Sequence, residues 1–214
     1  MKFGETVEGY NIPVLNEREV RASAGILFMM LMIAIMSAIL KQDFLLLKYF
    51  IVIFLVDFTV RLIISPKYAP TLVIGRMIVR RQNPEYVGAA QKKFAWVIGI
   101  SLAVIMFVLS IVMNSFSPIT GIICLICTVF LLFESAFGIC LGCLFYKWIK
   151  KEKAQYCPGE ICEVKSRQDI QRVSGVQVLM VIGFIVLIVL AAYFFNDAFK
   201  IPSHPLWDFG APGK

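Results

Sequence analysis

Six cysteines fall between Cys124 and Cys162, and four of them form the sharpest chemical pattern in the chain. Cys140 and Cys143 sit in Cys-Leu-Gly-Cys, and Cys157 and Cys162 close Cys-Pro-Gly-Glu-Ile-Cys. Together they read C-x2-C-x13-C-x4-C, two short pairs and a spacer, which is the form of a four-thiolate zinc or iron–sulfur site. The same four residues suit redox or sulfur chemistry, because a thiolate is both metal ligand and nucleophile. Residues three apart on a helix share a face, so Cys140 and Cys143 converge on one ligand or one partner sulfur. The Pro-Gly turn brings Cys157 and Cys162 toward each other. Lys150, Lys151 and Lys153 favour thiolates nearby and Glu160 opposes them. Cys124 and Cys127 lie deeper in an apolar run and read as small apolar fillers.

Four ionisable residues interrupt apolar stretches: Lys48, Asp57, Arg61 and Glu134. Glu134 is expected near mid-membrane on a long fourth helix, on a stripe with Gly138 and Gly142 that admits a neighbouring helix; it reads either as a hydrogen-bonded structural carboxyl or as a proton relay. On that long helix Cys140 and Cys143 point away from it, which makes it a weak direct base for them. Asp57 and Arg61 are four apart, the spacing of an ion pair along one helix face, and read first as a helix-docking pair. His204, the only histidine, has no ligand spacing around it. No phosphate loop, HExxH, GxSxG or dinucleotide fingerprint is present, which argues against nucleotide-driven transport by this chain.

The elements that must position these residues are membrane helices. With 59% apolar residues, 16% charged and a mean hydropathy of +0.81, the 214-residue chain is too apolar for a water-soluble domain. A bilayer core about 30 Å thick needs roughly 20 apolar helical residues. Five stretches meet that demand: 22–40, 44–64, 94–113, 119–146 and 176–195. The acidic stretch before Ala22 and the length of the first run argue against a cleaved signal peptide. The expected fold is therefore all-α, one polytopic membrane helix bundle over 1–214 with about five transmembrane helices. Pro66 and Pro70 break the chain after the second span, and the apolar spacing over 71–80 suits a short interfacial helix or a piece of the bundle core.

Five spans divide the basic residues sixteen to four between the two sides, leaving Arg61 within the membrane. The positive-inside bias then puts the N-terminus, loop 65–93 and loop 147–172 in the cytoplasm, and the C-terminus outside. The net charge of +7 is thus a membrane-flanking charge suited to anionic lipid, not a nucleic-acid patch.

Several stretches resemble one bacterial family of integral membrane proteins, domain of unknown function 4395: Asn16-Glu17-Arg18-Glu19-Val20-Arg21, Asp57 with Arg61, Pro66-Lys67-Tyr68-Ala69-Pro70, Gly75-Arg76, Lys93-Phe94-Ala95-Trp96, Phe133-Glu134 and Cys140-Leu141-Gly142-Cys143. The resemblance implies that Asp57, Arg61, Glu134, Cys140 and Cys143 are family hallmarks, and it brings no established activity. The expected function is handling of reactive thiols or sulfur at the cytoplasmic face of the bacterial inner membrane. Cys157 and Cys162 would be the exposed pair and Cys140 and Cys143 the acceptor pair, working with a soluble thioredoxin-like or sulfurtransferase partner. The other readings are a four-cysteine zinc or iron–sulfur protein, and a scaffold or small-solute permease relying on Glu134, Asp57 and Arg61.

Overall fold

The structure, a computed structural model, describes residues 3–7, 11–142 and 172–206. A short strand β1 (Val14–Asn16) leads into helix α1 (Glu17–Lys41). Helix α2 (Leu45–Thr59) continues through a π-helical turn, Val60–Ile64, and a 3-10 turn, Pro66–Tyr68, precedes helix α3 (Pro70–Val79). Strand β2 (Tyr86–Gly88) leads into α4 (Ala89–Phe107), which ends in a π turn, Val108–Val112. After β3 (Ser115–Phe116), helix α5 (Pro118–Leu132) ends in a third π turn, Phe133–Phe137. Helix α6 (Gly175–Lys200) and β4 (His204–Pro205) complete the described chain.

Local chemistry sets the helix starts. Asn16 caps α1 by accepting from the Arg18 amide. Ser117 with Thr120, and Ser174 with Gln177, form reciprocal capping boxes on α5 and α6. Four helical segments, Glu17–Lys41, Ala89–Val112, Pro118–Phe137 and Gly175–Lys200, are long and apolar enough to cross a membrane. The helix from Leu45 to Ile64 is of comparable length but carries Lys48, Asp57 and Arg61, all buried.

The core between α1, α2, α4 and α5 is built from Leu27, Leu31, Phe50, Phe54, Phe58 and Trp96. Outward faces are apolar as well, most of all on α6, where Leu179, Ile182, Ile185, Tyr193 and Phe194 are exposed. A continuous apolar exterior of this kind is tolerated by lipid and not by water, so the molecule is a membrane-associated helical bundle.

The ends of the bundle are tied by short pairings. At one end β1 pairs antiparallel with β2 through Val14 with Gly88 and Asn16 with Tyr86, which fixes the starts of α1 and α4 side by side. At the other, β3 pairs with β4. There the buried Lys48 ammonium donates to Asn114 Oδ1 at 2.7 Å and to the carbonyls of Phe199 and Ile201 at 3.0 and 3.1 Å. A cation thus satisfies carbonyls orphaned at the end of α6.

Three expectations are corrected. Residues 65–93 hold the short helix expected there, but not as an interfacial element: α3 packs antiparallel on α1 with Leu72, Val73, Gly75 and Arg76 buried, leaving Met77 and Ile78 outward, so most of it is bundle core, the second of the two readings. The helices also take in flanking charges, Glu17 and Glu19 in α1 and Lys92 in α4. The third correction concerns the fourth span, whose helix is interrupted after Phe137 instead of continuing unbroken, because Gly138 adopts a left-handed φ of 66° that a glycine accepts at no steric cost.

Gly75 marks the closest helix approach. A Cβ there would lie 2.7 Å from the Glu19 carbonyl oxygen and 3.2 Å from the Ser23 amide of α1. We expect Gly75→Ala to destabilise the bundle by about 1–3 kcal/mol through overpacking, read as a lowered thermal midpoint in detergent. An unchanged midpoint would show that α3 can shift away from α1.

Candidate functional site

The β1–β2 clip gathers charges at the N-terminal end of the bundle. Asn16 is shared: its Oδ1 also accepts from the Glu85 amide at 3.3 Å, and its Nδ2 donates to Glu19 Oε1 at 3.0 Å. Arg76 of α3 answers with ion pairs to Glu19 at 3.0 Å and Glu5 at 3.2 Å.

Deeper in, Asp57 and Arg61 form the expected pair, Nε to Oδ2 at 2.7 Å, with both side chains almost fully enclosed. The carboxylate does more than pair. It accepts from the Thr71 amide at 2.9 Å and the Thr71 hydroxyl at 2.8 Å, acting from another helix as the cap that Ala69 does not give α3. Arg61 Nη2 donates to Ser23 and Thr71, and the guanidinium lies over the rings of Phe58 at 4.5 Å and Trp96 at 5.0 Å.

The second deep group centres on Lys92, whose ammonium pairs with Glu17 at 2.8 Å and with Glu134. Lys92 and Glu17 are each 1% exposed in the side chain. Glu17 suits the start of a helix, where the backbone dipole favours an anion. Lys92 in the first turn of α4 and Glu134 in the last turn of α5 both sit against that preference. Two residues that oppose local electrostatics, held by an ion pair with each other and by Glu17, make this end of the bundle a candidate functional site.

Glu134 is therefore not in the middle of a long helix, as expected, but near the end of one. Because α5 stops at Phe137, it lies one turn from the bundle end, beside a lysine that the sequence alone assigns to a flanking loop. The early stop also redirects Cys140, which follows the helix instead of lying on it. Cys140 is 6% exposed, and its thiol is a hydrogen-bonding neighbour of the Glu134 carboxylate. The expectation that the two point apart fails for that reason.

Arg61, Glu134, Cys140 and Cys127 line one cavity of about 70 Å³, whose remaining wall includes Phe54, Phe58, Trp96, Leu102 and Leu131. A second apolar cavity of about 30 Å³, lined by Cys124 and Met106, shares Phe54 and Cys127 with it. Of the residues expected to carry chemistry, the structure brings together Cys140, Glu134, Arg61 and Asp57. Cys143, Cys157 and Cys162 lie outside the described residues. Among the described residues no three His, Cys, Asp or Glu side chains are grouped to hold a metal ion, and His204 is exposed.

Glu17, Glu19, Lys92, Arg76, Ser23 and Thr71 are the members that sequence reasoning missed. The available signal was the position of four charges within one turn of an apolar run, which the lysine and arginine count treats as flanking charge.

Fold and site together define a membrane-associated helical bundle with a buried ionic cluster beside an apolar cavity at one end. A model of the family described as domain of unknown function (DUF4395) matches residues 15–151, and the chain belongs to that family. The match takes in the whole cluster, Cys140 and Cys143, and ends before Cys157 and Cys162. No curated protein and no solved structure matches the chain.

Proposed function

We propose that this is a multi-pass protein of the bacterial cytoplasmic membrane, N-terminus inside, that handles reactive thiols or sulfur at Cys140 on the cytoplasmic side. The observation that carries the reading is the Cys140 thiol, enclosed against the Glu134 carboxylate that Lys92 holds. A thiol needs a base to become a nucleophile, and a positioned carboxylate is one. Cys140 passes its proton to Glu134, and the thiolate attacks one sulfur of a disulfide. A new S–S bond forms on Cys140, the old one breaks, and the departing thiolate takes the proton back. Cys143 then displaces the bound sulfur, leaving the protein oxidised and the partner, a thioredoxin-like or sulfurtransferase protein, reduced.

Under this reading Cys143→Ser accumulates a mixed disulfide on Cys140 in cells under oxidative load, detected as a reducible higher-mass band. Adding Glu134→Gln slows its formation about 10²-fold. If neither Cys143→Ser nor Cys157→Ser captures any partner, the thiol-exchange reading fails. A zinc or iron–sulfur site on Cys140, Cys143, Cys157 and Cys162 would instead give about one bound metal or cluster per chain after anaerobic purification, lost with any of the four.

A further inference from the structure

Arg61 is enclosed yet incompletely bonded. Nε donates to Asp57 and Nη2 to Ser23 and Thr71, while Nη1 makes no hydrogen bond among the described residues. The residue is 2% exposed, and it lines the 70 Å³ cavity together with the two rings that cover its face. The cavity is therefore suited to a guest that carries an acceptor atom.

Charge narrows the guest. Glu134 lines the same cavity, and the groups facing it are Lys92 from α4, Glu17 from α1, Arg61 from α2 and Cys140 from the chain beyond α5. With Asp57 included, the cluster has two cations, Arg61 and Lys92, for the three carboxylates of Glu17, Asp57 and Glu134. It already lacks one positive charge among the described residues, so a bare anion is poorly received. A guest bringing its own proton adds no charge. Size narrows it further, since one water needs about 10–15 Å³ of such space and the cavity offers 70 Å³, room for roughly five to seven heavy atoms.

We propose that this cavity binds a small weak acid with a short apolar body, the acceptor atom on Arg61 Nη1 and the acidic proton on Glu134. The site does not require Cys140 to react, so it stands or falls separately from thiol exchange.

The test is calorimetric titration of the full-length protein in detergent with butanoic acid, 1-butanethiol, 1-butanol and octanoic acid. Butanoic acid should bind with an apparent Kd that rises about tenfold per pH unit above its own pKa, because the proton accompanies it. 1-Butanethiol, which ionises well above neutral pH, should bind with no pH dependence around neutrality. Below the pKa of butanoic acid, 1-butanol, matched in length but with a far weaker proton donor, should bind at least tenfold more weakly than the acid, and octanoic acid should be excluded by size. Leu102→Phe, which fills the cavity wall, should weaken butanoic acid at least tenfold with its thermal midpoint retained. Equal affinity for butanol and butanoic acid, pH-independent binding of the carboxylate, or octanoic acid binding as tightly as butanoic acid would each overturn the proposal.

Discussion

Lys92→Met is expected to be among the most damaging single substitutions in this chain. The ammonium is the cation that both Glu17 and Glu134 pair with, and its removal leaves two enclosed carboxylates facing each other. Breaking a buried ion pair by deleting one partner costs about 3–5 kcal/mol. Against a total stability of about 5–15 kcal/mol, that loss is enough to deplete the folded protein. A thermal midpoint lowered by about 6–20 °C is the corresponding readout, followed by size-exclusion chromatography of heated, detergent-solubilised membranes. The triple variant Lys92→Met/Glu17→Gln/Glu134→Gln, neutral throughout, should recover most of the loss. A single variant with an unchanged midpoint would show that water already screens the cluster.

Asp57→Ala should be nearly as costly, for a partly different reason. It strands Arg61, whose side chain is 3% exposed, and also removes the acceptor for the Thr71 amide at the start of α3. The charge contribution is again about 3–5 kcal/mol, and the lost cap adds about 1 kcal/mol. Asp57→Asn separates the two contributions, since the amide can still accept from Thr71 while the charge is gone. Asp57→Ala/Arg61→Met should be more stable than Asp57→Ala alone. If the double variant is the weaker of the two, Arg61 is held mainly by Ser23, Thr71 and the rings of Phe58 and Trp96, and the pair is secondary.

The parts of this architecture that depend on local pattern were legible in the sequence. Apolar runs announce α1, α4, α5 and α6, and the four-residue spacing of Asp57 and Arg61 announces their pairing, because one helix supplies both partners. Lys92, Glu17 and Glu134 carry no such signature. They are 75 and 42 residues apart along the chain, and only the packing of three helices brings them together. The end of α5 was hidden for a second reason. Apolar residues Ile139, Leu141, Leu144 and Phe145 continue past the true stop, so hydropathy reads one long helix. Gly138 was the signal for the stop, but read as a helix-contact glycine it pointed the other way. Placing Glu134 and Cys140 depended on that one residue, which is why their contact was missed.

The β1–β2 clip also bears on the order in which the protein is made. Its second strand closes at Gly88, immediately before α4 begins, so in chain order the clip to β1 precedes the fourth helix. Until then Glu17 has no cation, and Lys92 supplies one only four residues beyond the clip. Glu134 arrives last, at the far end of α5, into an ion pair that is already neutral. In chain order, then, the surplus negative charge is the last of the three ionic partners to be made.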